Sequence, residues 1–204
     1  MSIHSKPPLD ARVVELLHAV SKLIEPLGKT YAVAGGIAVL THGISRNTAD
    51  VDVFLPDSVR TRVFTVLRKA GMDITPIFPP FHYMAWLPEH GDPRIHIDLM
   101  FPNDDLERYG MKHPVRGGMW GIAYNVLSPT VLAAIKFKAD SNDEESHRHL
   151  DDVTALYKGG IVKASSVKLM LEQEGDEETV ARFLKHIQKV DKAKSPTWQP
   201  KEKK

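Results

Sequence analysis

The sequence contains no cysteine, which excludes a disulfide framework, a thiolate metal site and a cysteine nucleophile. It has no run of about 18 apolar residues, so we predict no membrane span, and its first eight residues lack the apolar stretch of a signal peptide. The formal net charge is only +1 over 204 residues, which argues against a chain that binds polyanions over its whole surface. These features predict a cytoplasmic protein with one domain plus an appendage.

Two carboxylates lie in a segment with the alternation of a buried strand. Asp50 and Asp52 are two residues apart, and Val51 and Val53 alternate with them. Residues i and i+2 of a strand share a face, about 6.6–7 Å apart along it, so both carboxylates point the same way. Like charges so placed repel each other unless the face is solvated or a divalent cation lies between them. The apolar flanks favour the cation.

A third carboxylate fits the same arrangement. Arg94, His96 and Asp98 alternate with apolar residues, so they share one face of a second predicted strand. If this strand lies beside the first, Asp98 joins Asp50 and Asp52 in an all-oxygen site that suits Mg²⁺, with Mn²⁺ as an alternative. We expect His96 to be a neighbouring polar group rather than a ligand, because carboxylates already fill the site. Two ions held by carboxylates are a known device for in-line phosphoryl transfer.

The residues ahead of the acidic strand predict a phosphate site. Gly35 and Gly36 stand at a strand-to-helix turn, where bare backbone lets a triphosphate approach the N–H groups. The alternative is that they only form the turn. Arg46 precedes the acidic strand, from where its guanidinium can bind phosphate oxygens in pairs, or it is a surface loop residue. We expect Thr48 to steady this loop.

This combination of residues resembles the nucleotidyltransferase superfamily, which has the polymerase-beta-like fold. The similarity is greatest to its abortive-infection and type IV toxin branch. The matching residues are Gly35, Gly36, Arg46, Thr48, Asp50 and Asp52, with Asp98 as the third carboxylate. The resemblance covers residues 10–160. It implies an α+β fold with a mixed sheet flanked by helices and a C-terminal helical cap. It also implies transfer of a nucleoside monophosphate from a nucleoside triphosphate (NTP) to an acceptor hydroxyl.

Two further residues are identified through the resemblance. Related toxins carry a lysine on the helix after the core, which Lys136 matches, and an aspartate on the next helix, which Asp152 matches. We expect Lys136 to neutralise charge near the triphosphate and Asp152 to orient Lys136 or cap its charge. The alternative is that Lys136 belongs to a solvated lysine face. His149 departs from the pattern, which often has aspartate there. The acceptor is a tRNA end, a protein or a small molecule, and the chain is a candidate toxin with a cognate antitoxin protein. The alternative is a non-catalytic nucleotide- or protein-binding relative.

The order of elements predicts three segments. An amphipathic helix over 9–27 is followed by a short strand at 31–34, a helix at 37–42, the acidic strand at 51–55 and a helix to about residue 70. Strands are predicted at 73–77, 81–87 and 94–101, then a short helix and a glycine-rich hairpin at 115–123. The pattern is helical from Ser128. We therefore predict a catalytic core over 1–127, a helical cap over 128–190 and a disordered basic tail over 191–204.

Overall fold

The structure is a computed structural model that describes residues 9–28, 30–140 and 147–193. Its centre is a seven-stranded mixed sheet. The strands are β1 (Ala32–Val33), β2 (Asp50–Phe54), β3 (Asp73–Phe78), β4 (His82–Trp86), β5 (His96–Met100), β6 (Val115–Met119) and β7 (Ile122–Val126). Their order across the sheet is β3-β4-β5-β2-β1-β7-β6. The pairs β2–β5 and β1–β7 are parallel, and the other neighbours are antiparallel.

Eight α-helices accompany the sheet in the described part of the chain. They are α1 (Ala11–Ala19), α2 (Gly35–Thr41), α3 (Arg60–Lys69), α4 (Asp105–Lys112), α5 (Pro129–Asp140), α6 (His147–Lys158), α7 (Ala164–Gln173) and α8 (Glu177–Ala193). Strands and helices mix up to β7, and every element after β7 is helical. The predicted α+β class, with a mixed sheet, flanking helices and a helical C-terminal part, is confirmed.

The first helix begins and ends where its sequence provides caps. The Asp10 side chain accepts a hydrogen bond from the backbone N–H of Arg12, which satisfies one of the free donors at the start of α1. The helix continues beyond Ala19 through a π-helical turn and a 3₁₀ turn as far as Leu27. Gly28 then adopts φ 67°, the left-handed conformation that glycine tolerates best. The predicted helix over 9–27 is therefore present from residue 11.

Both hairpins predicted from the sequence are present, with small differences at their ends. β4 pairs with β5 and β6 pairs with β7, each antiparallel. β5 begins at His96 rather than at Arg94, because Asp92 accepts hydrogen bonds from the Arg94 backbone and side chain and fixes a turn there. The sharpest turn, between Met119 and Ile122, contains Gly121 at φ 77°.

One hydrophobic cluster runs through the sheet and the C-terminal helices. It contains Val53 of β2, Ile37 of α2, Leu132 of α5 and Phe183 of α8, each nearly inaccessible to solvent. The chain from α5 onward therefore packs on the sheet half without a separate core. α8 continues to Ala193, and the rest of the predicted tail, 194–204, lies outside the described residues. Over the described ranges, no helix combines the length and apolarity needed to cross a membrane.

Candidate active site

Four polar side chains form two pairs of facing residues across the adjacent parallel strands β2 and β5. Asp50 lies opposite His96, and Asp52 lies opposite Asp98. Alternate residues such as Ile97 are fully buried, so the polar residues share the other face of the sheet. The strand pairing is the one that the sequence predicted, and it brings Asp98 beside Asp50 and Asp52.

Two histidines hold the Asp98 carboxylate. His82 Nε2 lies 2.6 Å from Asp98 Oδ1, and His96 Nε2 lies 3.1 Å from Oδ2. Burial alone would raise the pKa of Asp98, but the hydrogen bonds from the two imidazoles outweigh it and lower the pKa to about 2. The same hydrogen bond raises the pKa of His96. Asp98 is therefore a fixed, ionised carboxylate.

Sequence reasoning did not identify His82. It stands at the start of β4, directly opposite Met100 of β5, and reaches Asp98 diagonally across the antiparallel pair. Side chains on diagonal positions of neighbouring strands are close enough for a long side chain to bridge them. The predicted hairpin of 81–87 with 94–101 was the signal that could have pointed to His82. It was not sufficient, because a one-residue change in the pairing register of the two strands would turn His82 to the other face of the sheet.

Asp52 has the opposite electrostatic character to Asp98. Burial raises its pKa to about 7, and the negative charges of Asp50 and Asp98 add to this effect. The positive charges of Lys136 and Arg46 oppose it. Three carboxylates and two cations thus lie within electrostatic reach of one another, and the two cations only partly offset the effect of burial and like charge on Asp52.

The two glycines leave room for the acidic strand and the loop before it. Gly35 has φ 55°, and a Cβ there would overlap the Asp52 carboxylate. A Cβ on Gly36 would overlap the Thr48 side chain. Thr48 Oγ1 in turn donates a hydrogen bond to Asp50 Oδ1 at 2.5 Å. The start of α2 can therefore pack against these side chains only because it carries no side chain of its own, which is a structural reason for the glycines.

A buried ion-pair triad stands next to the acidic face. Asp152 of α6 accepts hydrogen bonds from Arg46 and from Lys136 of α5, with Lys136 Nζ at 2.8 Å from Asp152 Oδ2. Lys136 is 4% exposed and Asp152 is 6% exposed. The arrangement joins the loop before β2 to two C-terminal helices. Asp152 thus pairs directly with Lys136, a position from which it can orient that lysine.

A cleft of about 860 Å³ opens between the loop before β2 and α6. Its volume is in the range of small-molecule and cofactor sites. Cations and carboxylates both line it, so it can receive a phosphorylated ligand together with its counterions. The polar lining includes Arg46, Thr48, Asp50, Arg94, His96, Arg148, Asp151 and Asp152.

The acidic face has the donor atoms for a divalent cation. One ligand atom each from Asp50, His96 and Asp98 all lie within 4.8 Å of one another. Ligands on opposite sides of one ion are separated by about twice a bond length of roughly 2.1 Å, so a single ion fits between these atoms. Carboxylate oxygens bind Mg²⁺ and Mn²⁺, and imidazole nitrogen binds first-row transition metals. The residues present therefore fit a metal.

Comparison with solved structures identifies the fold. The chain is similar to the antibiotic-resistance factor ANT(2'')-Ia, with a TM-score of 0.62 and 12% identity over 88% of this chain and 100% of that one. It is also similar to a nucleotidyltransferase-like protein from Paracoccidioides brasiliensis, with a TM-score of 0.52 and 15% identity over 89% of each chain. The lincosamide adenylyltransferase LnuA gives a TM-score of 0.50 and 16% identity over 72% of this chain and 96% of that one.

Comparisons at the level of sequence give no match: no protein-family profile matches the chain, and neither does any curated protein. The similarity is therefore one of fold, shared with the nucleotidyltransferase-like protein and with the adenylyltransferase LnuA. The fold predicted from the sequence resemblance is confirmed.

Proposed function

We propose that the chain is a metal-dependent nucleotidyltransferase that moves a nucleoside monophosphate from an NTP to an acceptor hydroxyl. The observation that carries the proposal is the in-register placement of Asp50, Asp52 and Asp98 on one face of adjacent strands. A surface carboxylate cluster would be solvated, whereas burial and neighbouring charge raise the pKa of Asp52 to about 7. A fold tolerates such repulsion readily where a cation relieves it.

In the proposed mechanism, Arg46 faces the triphosphate from the wall of the cleft, and the buried Lys136 acts through its charge. Their positive charge reaches the acidic face, because both lower the pKa of Asp52. Asp152 holds both cations in place before substrate binds. Arg46 also lines the cleft, where its guanidinium can bind phosphate oxygens in pairs. Positioning and charge neutralisation of this kind account for most of the catalysis in phosphoryl transfer.

Asp50, Asp52 and Asp98 would hold the divalent metal, with Mg²⁺ as the expected ion, and the metal would supply charge neutralisation for the phosphates and the acceptor oxygen. The acceptor hydroxyl attacks the α-phosphorus, the bond from that phosphorus to the bridging oxygen breaks, and pyrophosphate leaves. Asp98, with its pKa of about 2, is a weak base. We therefore assign it to holding and orienting groups, and the hydroxyl proton is lost to water.

A small-molecule hydroxyl is the acceptor that we propose first. ANT(2'')-Ia, whose whole length is covered by this chain, has a structure in complex with adenylyl-2''-tobramycin. LnuA has a structure with lincomycin bound. Both ligands are small molecules, which supports this acceptor class.

RNA is the second acceptor class, and one observation favours it. Cationic residues at helical spacing along α8 line a cavity together with Phe137 and Leu150. Such a row can contact the phosphates of a polynucleotide. The residues are Arg182, Lys185, Lys189 and Lys192. The toxin role and a cognate antitoxin rest on the sequence resemblance alone and stay predictions.

The test is transfer of label from each α-³²P-labelled NTP, in Mg²⁺ or Mn²⁺, to a panel of aminoglycosides, lincosamides and bulk tRNA. The wild type should label one acceptor class and release pyrophosphate. Asp98→Asn should abolish the transfer, whereas Asp73→Asn, an exposed carboxylate on β3, should leave it unchanged. Metal-dependent NTP binding without transfer to any acceptor would instead support the non-catalytic alternative. Absence of both NTP binding and transfer would overturn the transferase and the nucleotide-binding alternative, and would leave a protein-binding relative.

A further inference from the structure

The two ring nitrogens of His96 are engaged differently. Nδ1 lies 2.9 Å from the Pro93 carbonyl oxygen, and Nε2 lies 3.1 Å from Asp98 Oδ2. A carbonyl oxygen can only accept, so Nδ1 carries a hydrogen. In the neutral ring Nε2 is therefore the nitrogen with the free lone pair, and it faces a carboxylate. A lone pair facing a carboxylate needs a cation between them, either a proton or a metal ion.

The surroundings of His96 are those of a metal ligand. A metal-bound histidine commonly donates its other N–H to a carboxylate or a backbone carbonyl, which fixes the tautomer and the ring orientation. Pro93 provides that carbonyl. His82 fixes Oδ1 of Asp98 and leaves Oδ2 directed toward His96. With Asp50, the three ligand atoms lie within 4.8 Å of one another.

We propose that His96 Nε2 is a direct metal ligand, together with Asp50 and Asp98, and that this nitrogen makes the centre prefer Mn²⁺ over Mg²⁺. The inference deepens the metal site of the proposed function and replaces the expectation that His96 is only a polar neighbour. Mg²⁺ is a hard cation that takes oxygen ligands, whereas imidazole suits first-row transition metals. A site of three carboxylates alone would lack this preference.

The test is pulsed electron paramagnetic resonance of Mn²⁺ added to the metal-free protein in the absence of NTP and acceptor. Wild-type protein with one equivalent of Mn²⁺ should show the ¹⁴N modulation of a coordinated imidazole. His96→Gln should lose it. His82→Gln is the matched control and should retain it, because His82 contacts Asp98 Oδ1 on the side away from His96. Circular dichroism should show that both variants are folded.

Metal affinities give a second, independent readout. The ratio of Mg²⁺ to Mn²⁺ dissociation constants, measured by calorimetry at one pH, should fall by about tenfold or more in His96→Gln, since the lost ligand favours Mn²⁺. It should stay near the wild-type value in His82→Gln. Absence of ¹⁴N modulation in the wild type, its persistence in His96→Gln, or its loss only in His82→Gln would each overturn the inference.

The outcome is separable from that of the proposed function. Modulation from His96 in a protein that transfers no nucleotide would support the metal ligand and count against the transferase. Conversely, nucleotide transfer by a protein that shows no ¹⁴N modulation would support the transferase and overturn the assignment of His96.

Discussion

Replacing Asp52 by asparagine should stabilise the metal-free protein at neutral and alkaline pH. Asp52 is held by the fold in a position where burial and two neighbouring carboxylates raise its pKa to about 7, well above the ordinary value for an aspartate. Asparagine has nearly the same shape but does not ionise. The substitution therefore removes the cost of ionising this group in the folded state and leaves the packing against Gly35 almost unchanged.

The pH dependence follows from the direction of the shift. A carboxylate with a folded pKa above its unfolded pKa binds protons more tightly when folded, so its ionisation destabilises the fold as pH rises above about 4, and the loss levels off above pH 7. The rise of the Asp52 pKa from its ordinary value to about 7 corresponds to about 4 kcal/mol, at 1.36 kcal/mol for each tenfold change in proton affinity. Because ionisation is shared with Asp50 and Asp98, we expect the asparagine variant to gain about 2–4 kcal/mol at pH 8 and almost nothing at pH 4.

Urea unfolding with a chelator present, at pH 4, 6 and 8, measures this gain. Asp73→Asn is the control, because an exposed carboxylate on β3 should change stability by less than about 0.5 kcal/mol at each pH. Added Mg²⁺ or Mn²⁺ should stabilise the wild type more than Asp52→Asn and close the gap between them. The reasoning would be refuted if Asp52→Asn had no larger free energy of unfolding than the wild type at pH 8. It would also be refuted if the gain in that free energy were the same at pH 4 and pH 8.

Four further perturbations test other parts of the protein. Asp152→Asn leaves the buried Lys136 without an ionised partner and should lower the free energy of unfolding by about 3–5 kcal/mol. Lys136→Met, which keeps Asp152 paired with its other cation, should cost less, and equal losses in urea unfolding would contradict this order. Gly36→Ala places a methyl group on the Thr48 side chain and should cost about 1–3 kcal/mol, so an unchanged melting temperature would count against the close contact. Deleting 194–204 removes four lysines but keeps α8 whole. If RNA is the acceptor, the slope of log K against log salt should flatten by about 0.7 per lost single-strand contact, and an unaltered slope would exclude the tail from binding.

Much of this architecture is predictable because its signals are local. The period-two alternation around Asp50 and Asp52 fixes their shared face wherever the strand pairs. Asp10 and Gly28 bound the first helix through their own side-chain and backbone chemistry. The helices after Ser128 can be predicted from the local spacing of apolar residues, without knowing what the helices pack against. Such features depend on residues a few positions apart, and the sequence determined them by itself.

Other features depended on contacts between distant parts of the chain. That Asp52 lies opposite Asp98 is a matter of strand register, and the same register of β4 against β5 turns His82 toward Asp98. No local pattern around His82 indicates this. The sequence also could not show that Lys136 is buried against Asp152, since a lysine on a helix is usually solvated.

The electrostatics of the site were decided by tertiary structure alone. Asp52 and Asp98 are both aspartates and lie opposite each other on adjacent strands. The pKa of Asp52 is nevertheless raised to about 7, whereas that of Asp98 is lowered to about 2. The sequence supplied three carboxylates on one face. Burial and like charges act on Asp52, while two imidazoles from β4 and β5 hold Asp98, and only folding brings those groups within hydrogen-bonding distance.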